Sequence, residues 1–147
     1  MTAKTDMIKL YSQRILALAA DIPHHSRLDA PGATVHRRAP LCGSAITVDI
    51  TCKDGVVTEF GQDVKACALG QAAASVVGGA IIGCTKADVR GARDALARML
   101  AEDGPAPVAP FDGLDVLRPA QEYKNRHASI MLSLEAAVEA LETACTH

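Results

Sequence analysis

Tryptophan is absent from the sequence, and aromatic residues make up only 3% of its 147 residues. A core built around large rings is therefore excluded. It has to come from Ala, Val, Ile and Leu, in a chain that is 49% apolar. Charge of one sign is also missing: 15 Lys and Arg stand against 17 Asp and Glu, for a net charge of −2 and a pI of about 6.2. That balance argues against nucleic acid or an anionic membrane as partner, since both select for clustered excess positive charge.

Paired cysteines are missing too. The five cysteines, at positions 42, 52, 67, 84 and 145, include no Cys-x-x-Cys. Their odd number and irregular spacing are unlike a secreted disulfide framework. Reduced thiols in a cytoplasmic protein are the expectation, with metal binding as one use for them. The short apolar stretch Ile15–Ala20 follows Asp6, Gln13 and Arg14 and is not expected to be a targeting segment. The longest apolar run, Ala66–Cys84, has about the length of a membrane span. It is rich in Ala and Gly and contains Gln71 and Ser75, so a buried core helix is expected instead.

The length suits one domain, residues 1–147, without repeats or linkers. Residues 5–21 predict an amphipathic helix, with Ile8, Tyr11, Ile15 and Leu18 at helical spacing. Pro23 and His24-His25-Ser26 end it, and a loop runs to Pro31-Gly32. Ile46, Val48, Ile50 and Cys52 alternate with polar residues as a half-buried strand does. Asp54-Gly55 is a two-residue hairpin turn, and Val56–Phe60 returns, extending to Ala66 with a bulge near Gly61. A strand at Thr34–Arg38 completes a three-stranded antiparallel sheet. Helices are expected over 69–82, over Lys86–Ala101 with Thr85 as N-cap, and after Pro119, where Ile130, Leu134, Val138 and Leu141 share a face. The fold class is α+β, a small sheet packed against several helices.

Three residues stand where chemistry is easily placed. Cys42 precedes a strand, beside Gly43. Cys67 lies between the second hairpin strand and a helix, and His127 lies at or near the start of the last helix. At a helix N-terminus free N–H groups and the local positive field favour a thiolate. Thiolate sulfur with imidazole nitrogen is a donor set for zinc or iron–sulfur centres. From spacing alone, Cys42 and Cys67 could equally be buried apolar residues, the usual fate of a free cysteine.

The order and context of these residues resemble the NifU/IscU/SufU family of iron–sulfur assembly scaffolds across nearly the whole chain. That family has a Tyr-containing N-terminal helix, here around Tyr11. Its Asn-Pro-x-Cys-Gly-Asp motif is similar to Ala39-Pro40-Leu41-Cys42-Gly43-Ser44. Its Gly-x-Gly-Cys-x-x-x-x-Ala-Ser stretch is similar to residues 64–75 around Cys67. Its Arg-x-x-Cys-Ala-x-Leu is matched by Lys124-Asn125-Arg126-His127-Ala128-Ser129-Ile130. The long gap from Cys67 to His127 resembles the SufU branch, with an insertion at 102–118. Ser44 replaces the family's aspartate, His127 its third cysteine, Val64-Lys65-Ala66 its Gly-x-Gly, and Pro23-His24-His25-Ser26 its Pro-Arg-Asn loop.

The resemblance implies a metal or cluster site at Cys42, Cys67 and His127, holding an iron–sulfur cluster or zinc, with the fourth position open to water, a partner's sulfur, or His24 or His25. It implies a scaffold or carrier more than a classical enzyme, with a cysteine desulfurase as sulfur donor and apo iron–sulfur proteins as acceptors. A second expectation is a zinc-dependent sulfur acceptor, with Cys67 as acceptor thiol. A third is a module of the same fold whose site has degenerated. Cys52, Cys84 and Cys145 match no ligand and are expected to serve as sheet packing, helix-end packing and part of a frayed tail. Oligomeric state is left open.

Overall fold

The computed structural model describes residues 12–40 and 43–145. Ser12 opens helix α1 (Gln13–Ala20) by accepting the Ile15 N–H on its Oγ at 3.3 Å. Ile15 is fully buried. The front half of the expected first helix, Tyr11 included, lies outside the described residues.

Three strands follow, β1 (Ala33–Arg38), β2 (Ala45–Lys53) and β3 (Val56–Lys65), forming one antiparallel sheet in the order β1-β2-β3. Asp54 and Gly55 both have positive φ, 54° and 81°. Such a two-residue turn has the twist that a hairpin needs. The register runs unbroken from Ala45 opposite Lys65 to Thr51 opposite Glu59, and slips between Thr51 and Cys52. The irregularity is thus at the hairpin end rather than at Gly61. Gly61 is small for another reason: a Cβ there would collide with the Ser26 carbonyl. The loop between α1 and β1 is laid along β3. The Gln62 N–H donates to the His24 carbonyl at 3.0 Å, and the Val64 N–H to His25 Nε2 at 3.2 Å. His25 therefore serves the backbone of β3.

Val35, Ile46, Val48, Ile50, Phe60 and Val64 form the buried face of the sheet. Helices α2 (Ala68–Ala80), α3 (Lys86–Glu102) and α4 (Lys124–Ala144) complete the fold, with a 3-10 helix at Asp112–Glu122. Helix α4 lies across β1 and β2 and also packs on α2 and α3. Its Ile130, Leu134, Val138 and Leu141 are buried, as their spacing predicts. Among the described residues no helix is long and apolar enough to cross a membrane. Helix α2 is built of small residues because it is enclosed: Ala72, Ala73, Ala74 and Val77 are all buried. Thr85 caps α3 in a reciprocal box with Asp88. Pro119 sits inside the 3-10 helix rather than opening α4, which begins after Tyr123.

Two buried polar groups fix the sheet to its surroundings. Gln62 Nε2 donates to the carbonyls of Pro23 and Ala74, each at 3.1 Å. Asp49, with no side-chain exposure, accepts from Arg27 Nε at 2.6 Å and Nη2 at 3.2 Å, from the Leu28 N–H at 3.0 Å and from Thr34 Oγ1 at 2.6 Å. Burial alone would raise its pKa; Arg27, Thr34 and Leu28 together outweigh that and hold the carboxyl below its ordinary range.

The cysteines away from the candidate site depart from expectation in one respect. Cys52 and Cys145 form a disulfide across a sequence separation of 93, with Cα atoms 5.6 Å apart. Neither a fully reduced chain nor a frayed tail at Cys145 describes this; Cys145 is buried. The cause is topological. Helix α4 runs along β2, so Cys145, the residue that follows it, arrives at the hairpin end where Cys52 lies. Cys84 does pack at a helix end, its Sγ directed at the Ala80 carbonyl.

Candidate functional site

Cys67 is the N-cap of α2. Its carbonyl accepts the Gln71 N–H at 2.9 Å, while its own backbone stays extended at the end of β3. The thiol is half-buried. Burial tends to raise its pKa. Against that act a hydrogen bond with Ser129, the backbone N–H groups of Gly70 and Leu69 in the first turn of α2, and the charge of Arg126. The balance lowers the pKa, so the site favours a thiolate. Cys84 goes the other way, pushed up by burial and by Asp88.

Ser129, in the second turn of α4, is the side chain that meets Cys67, with Oγ 3.5 Å from Sγ. Its Oγ also lies 2.9 Å from Ser44 Oγ. Ser44 and Ser129 are 3% and 2% exposed, so the two hydroxyls form a buried contact behind the thiol. Space for it is left by Gly70, where a Cβ would stand 2.5 Å from Ser129 Oγ and 2.9 Å from Ala66 Cβ. Ser44 is held in turn by the β1–β2 connection. The Ala39 N–H donates to the Ser44 carbonyl at 2.8 Å, and the Gly43 N–H to the Ala39 carbonyl at 3.1 Å. Gly43 has φ 71°, which suits glycine in so tight a turn.

Of the residues expected from sequence, Cys67 is at this end of the sheet. Cys42 lies outside the described residues, although Pro40 and Gly43 on either side belong to the turn that carries Ser44. His127 is in the first turn of α4, half-buried, with Nε2 at 3.0 Å from both the Ala120 and the Gln121 carbonyls. Both partners are acceptors, so Nε2 is the donating nitrogen, and Nδ1 is the one left for a further partner. A ligating histidine is often oriented in this way, by its other nitrogen donating to a backbone carbonyl. Among the described residues no three of His, Cys, Asp and Glu converge as a metal cage. The donors in contact there are one thiol and two hydroxyls, so a bound metal would need Cys42 and a further donor.

Sequence reasoning missed Ser129. A signal for it existed. Arg126-His127-Ala128-Ser129-Ile130-Met131-Leu132 also fits the spacing Arg-x-x-Cys-Ala-x-Leu, with Ser129 at the cysteine and Leu132 at the leucine. Matching the motif from Lys124 instead placed His127 there.

No family profile matches the chain, and no curated protein does. Solved structures do. The N-terminal NifU-like protein of Brucella abortus, described as nitrogen-fixing, is 40% identical over 96% of this chain and 98% of that one, with a TM-score of 0.93. A protein of Fervidobacterium islandicum AW-1, described as an iron–sulfur cluster assembly scaffold of the SUF system, superposes with a TM-score of 0.80 at 18% identity, over 91% of this chain and 98% of that one. A hypothetical protein does so with a TM-score of 0.78 at 19% identity, over 92% and 98%. The last two speak to the fold alone.

Proposed function

The chain belongs to the NifU-like family, and on that premise we propose that it is an iron–sulfur cluster assembly scaffold that takes sulfur from a cysteine desulfurase and passes a cluster to apo iron–sulfur proteins. The observation that carries the proposal is Cys67: a half-exposed thiol whose surroundings favour the thiolate, in a chain 40% identical to a NifU-like protein. Sulfur transfer needs a reachable thiolate. Cys67 S⁻ attacks the outer sulfur of the desulfurase persulfide; the S–S bond breaks, Cys67 becomes the persulfide, and the desulfurase cysteine leaves as its thiolate.

The proposed donors to iron, to a cluster or to zinc are Cys42, Cys67 and His127, the last through Nδ1. Zinc bound there would hold the thiols deprotonated. Ser129 and Ser44 do a separate job. Ser129 seats the Cys67 sulfur by hydrogen bonding, Ser44 meets Ser129 from behind, and the two hydroxyls keep a neutral, buried floor under the thiol.

The test is anaerobic purification followed by iron, acid-labile sulfide and zinc determination per chain. Iron with sulfide supports the scaffold. Zinc alone supports the second reading, a zinc-dependent sulfur acceptor, which the lowered Cys67 pKa favours. Neither metal, with no persulfide on Cys67 after incubation with desulfurase and cysteine, leaves a site-degenerate interaction module. Cys42→Ala or Cys67→Ala should abolish tight binding, whereas Cys84→Ala should not. Two further variants separate the third donor. If His127 ligates, His127→Ala loses metal and His127→Cys releases up to one more proton on zinc binding. If the Ser129 position is the ligand position of this fold, Ser129→Cys gains affinity and His127→Ala costs nothing.

A further inference from the structure

Helix α3 carries a glycine near its middle, at Gly91, where glycine is less favourable than any residue but proline. In α2 the chain itself explains such residues. A Cβ at Gly70 would run into Ser129 and Ala66, and one at Gly78 into Gln62 and the Pro23 carbonyl. At Gly91 a Cβ would meet nothing within 4 Å, and the position is exposed. The packing of this chain on itself gives no reason for glycine there.

Gly91 lies in the wall of a trough of about 400 Å³ between α3 and residues 105–111. Ala87, Gly91 and Ala95, each one helical turn apart, line the α3 side. Pro105, Val108 and Pro110 line the other, within the insertion expected from the sequence at 102–118. Val108 is 83% exposed, more than any other large apolar side chain among the described residues. Two charged side chains border the trough, Asp88 and Arg98. They are ten positions apart on α3, about 15 Å along its axis. Asp88 accepts the Thr85 N–H on Oδ2, and both side chains are exposed.

We propose that this trough is a two-fold interface with a second copy of the chain. Charge complementarity and register select that occupant. The pair Asp88 and Arg98 and the pair Gly91 and Ala95 are both centred on Arg93. Two α3 helices packed antiparallel about an axis at that point set Gly91 against Ala95 of the second copy, and Ala95 against its Gly91. The same axis brings Arg98 to Asp88 of the second copy and Asp88 to its Arg98, so every contact forms twice. The missing Cβ at Gly91 lets the two backbones close in. The apolar walls then face each other and Val108 is covered. An unrelated partner would have to match both charges at their spacing, whereas a second copy matches them by symmetry.

The experiment follows sedimentation velocity of the whole chain over a concentration series, at low and high salt. The parent should pass from monomer to dimer as concentration rises, less readily in high salt, which screens the two ion pairs. Arg98→Glu sets like charges against each other at both ends and should raise the dimer dissociation constant roughly tenfold or more. Gly91→Leu should do the same by holding the helices apart. Its Tm, read where the parent is monomeric, should nevertheless hold or rise, because leucine is the better helix former and meets open space within the chain. A purely structural role for Gly91 would move Tm the other way. Lys53→Glu, exposed at the hairpin end of β2, should dimerise as the parent does. A parent that stays monomeric at every concentration overturns the proposal. So does a dimer that Arg98→Glu and Gly91→Leu leave intact, since it would lie on another face. A monomeric parent that takes up a hydrophobic dye, with uptake lost in Gly91→Leu, assigns the trough to a different occupant and equally overturns it.

Discussion

Removing the bond between Cys52 and Cys145 should cost this chain much of its stability. The perturbation is either a reductant or the Cys52→Ser/Cys145→Ser variant. The bridge spans 93 positions, nearly two thirds of the 147-residue chain. In the chain-entropy account, a loop of that size removes about 4.5–5 kcal/mol of freedom from the unfolded ensemble at 25 °C. Unfolding entropy of about 2.1 cal/mol/K per residue amounts to roughly 0.3 kcal/mol/K for a chain of this length, so Tm should fall by about 15 °C. The assay is thermal unfolding by circular dichroism with and without reductant, beside a thiol titration in denaturant. Of five cysteines, two are bridged, so the oxidised protein should titrate three thiols and the reduced protein five. The Ser/Ser variant should start at the lower Tm and ignore reductant. A parent that titrates five thiols without reductant, with a Tm that reductant leaves unchanged, would refute the reasoning outright.

Three further outcomes are expected. Asp49→Ala leaves the Leu28 N–H and the Thr34 hydroxyl without their acceptor and should destabilise by about 2–3 kcal/mol, as loss of hydrogen bonds to a buried charge does. Because the folded pKa of Asp49 is lowered, its contribution is complete above the unfolded carboxylate value of about 3.9 and is lost as pH falls through the lower folded value. The stability gap between parent and Asp49→Asn in urea titrations should therefore hold flat from neutral pH down to about 5 and close only in stronger acid. Gly70→Ala forces Ser129 and α4 away from α2, and should cost about 1–3 kcal/mol in a denaturant titration while slowing alkylation of Cys67. Iodoacetamide below pH 8 should label Cys67 well before Cys84, read by peptide mass mapping, since one thiol is lowered and half-exposed while the other is raised and buried. Equal labelling of the two would contradict both environments.

How much of this was legible in the sequence depends on whether an element is decided locally. The hairpin was, because Asp54-Gly55 and the alternation of Ile46, Val48 and Ile50 both act over a few residues. The buried stripe of α4 was, because helical spacing alone selects Ile130, Leu134, Val138 and Leu141. The cap at Thr85 followed from chemistry within one turn. The position of Cys67 at the start of a helix was legible from the change of pattern after it. What failed to show were contacts across long separations. Ser129 reaches Cys67 over 62 positions, and Cys52 reaches Cys145 over 93. Nothing in either neighbourhood encodes the meeting; it follows from α4 running along β2. His25 was equally hidden, because its partner is a backbone N–H of β3 that no side-chain pattern reveals.

The two margins of the sheet are protected differently, and this bears on how the protein behaves when crowded. Along β3, the loop that follows α1 already occupies the N–H groups of Gln62 and Val64, so an incoming strand finds that margin blocked. Along β1, no other strand of the sheet lies beyond among the described residues. There the guard is composition: the strand is six residues long and ends His36-Arg37-Arg38. A short, cationic margin is a poor template for a further strand. Steric cover on one side and charge on the other turn aside the sheet-to-sheet polymerisation that an open three-stranded ribbon would otherwise invite. Arg38, the last residue of that strand, thus helps to keep the sheets of neighbouring copies apart.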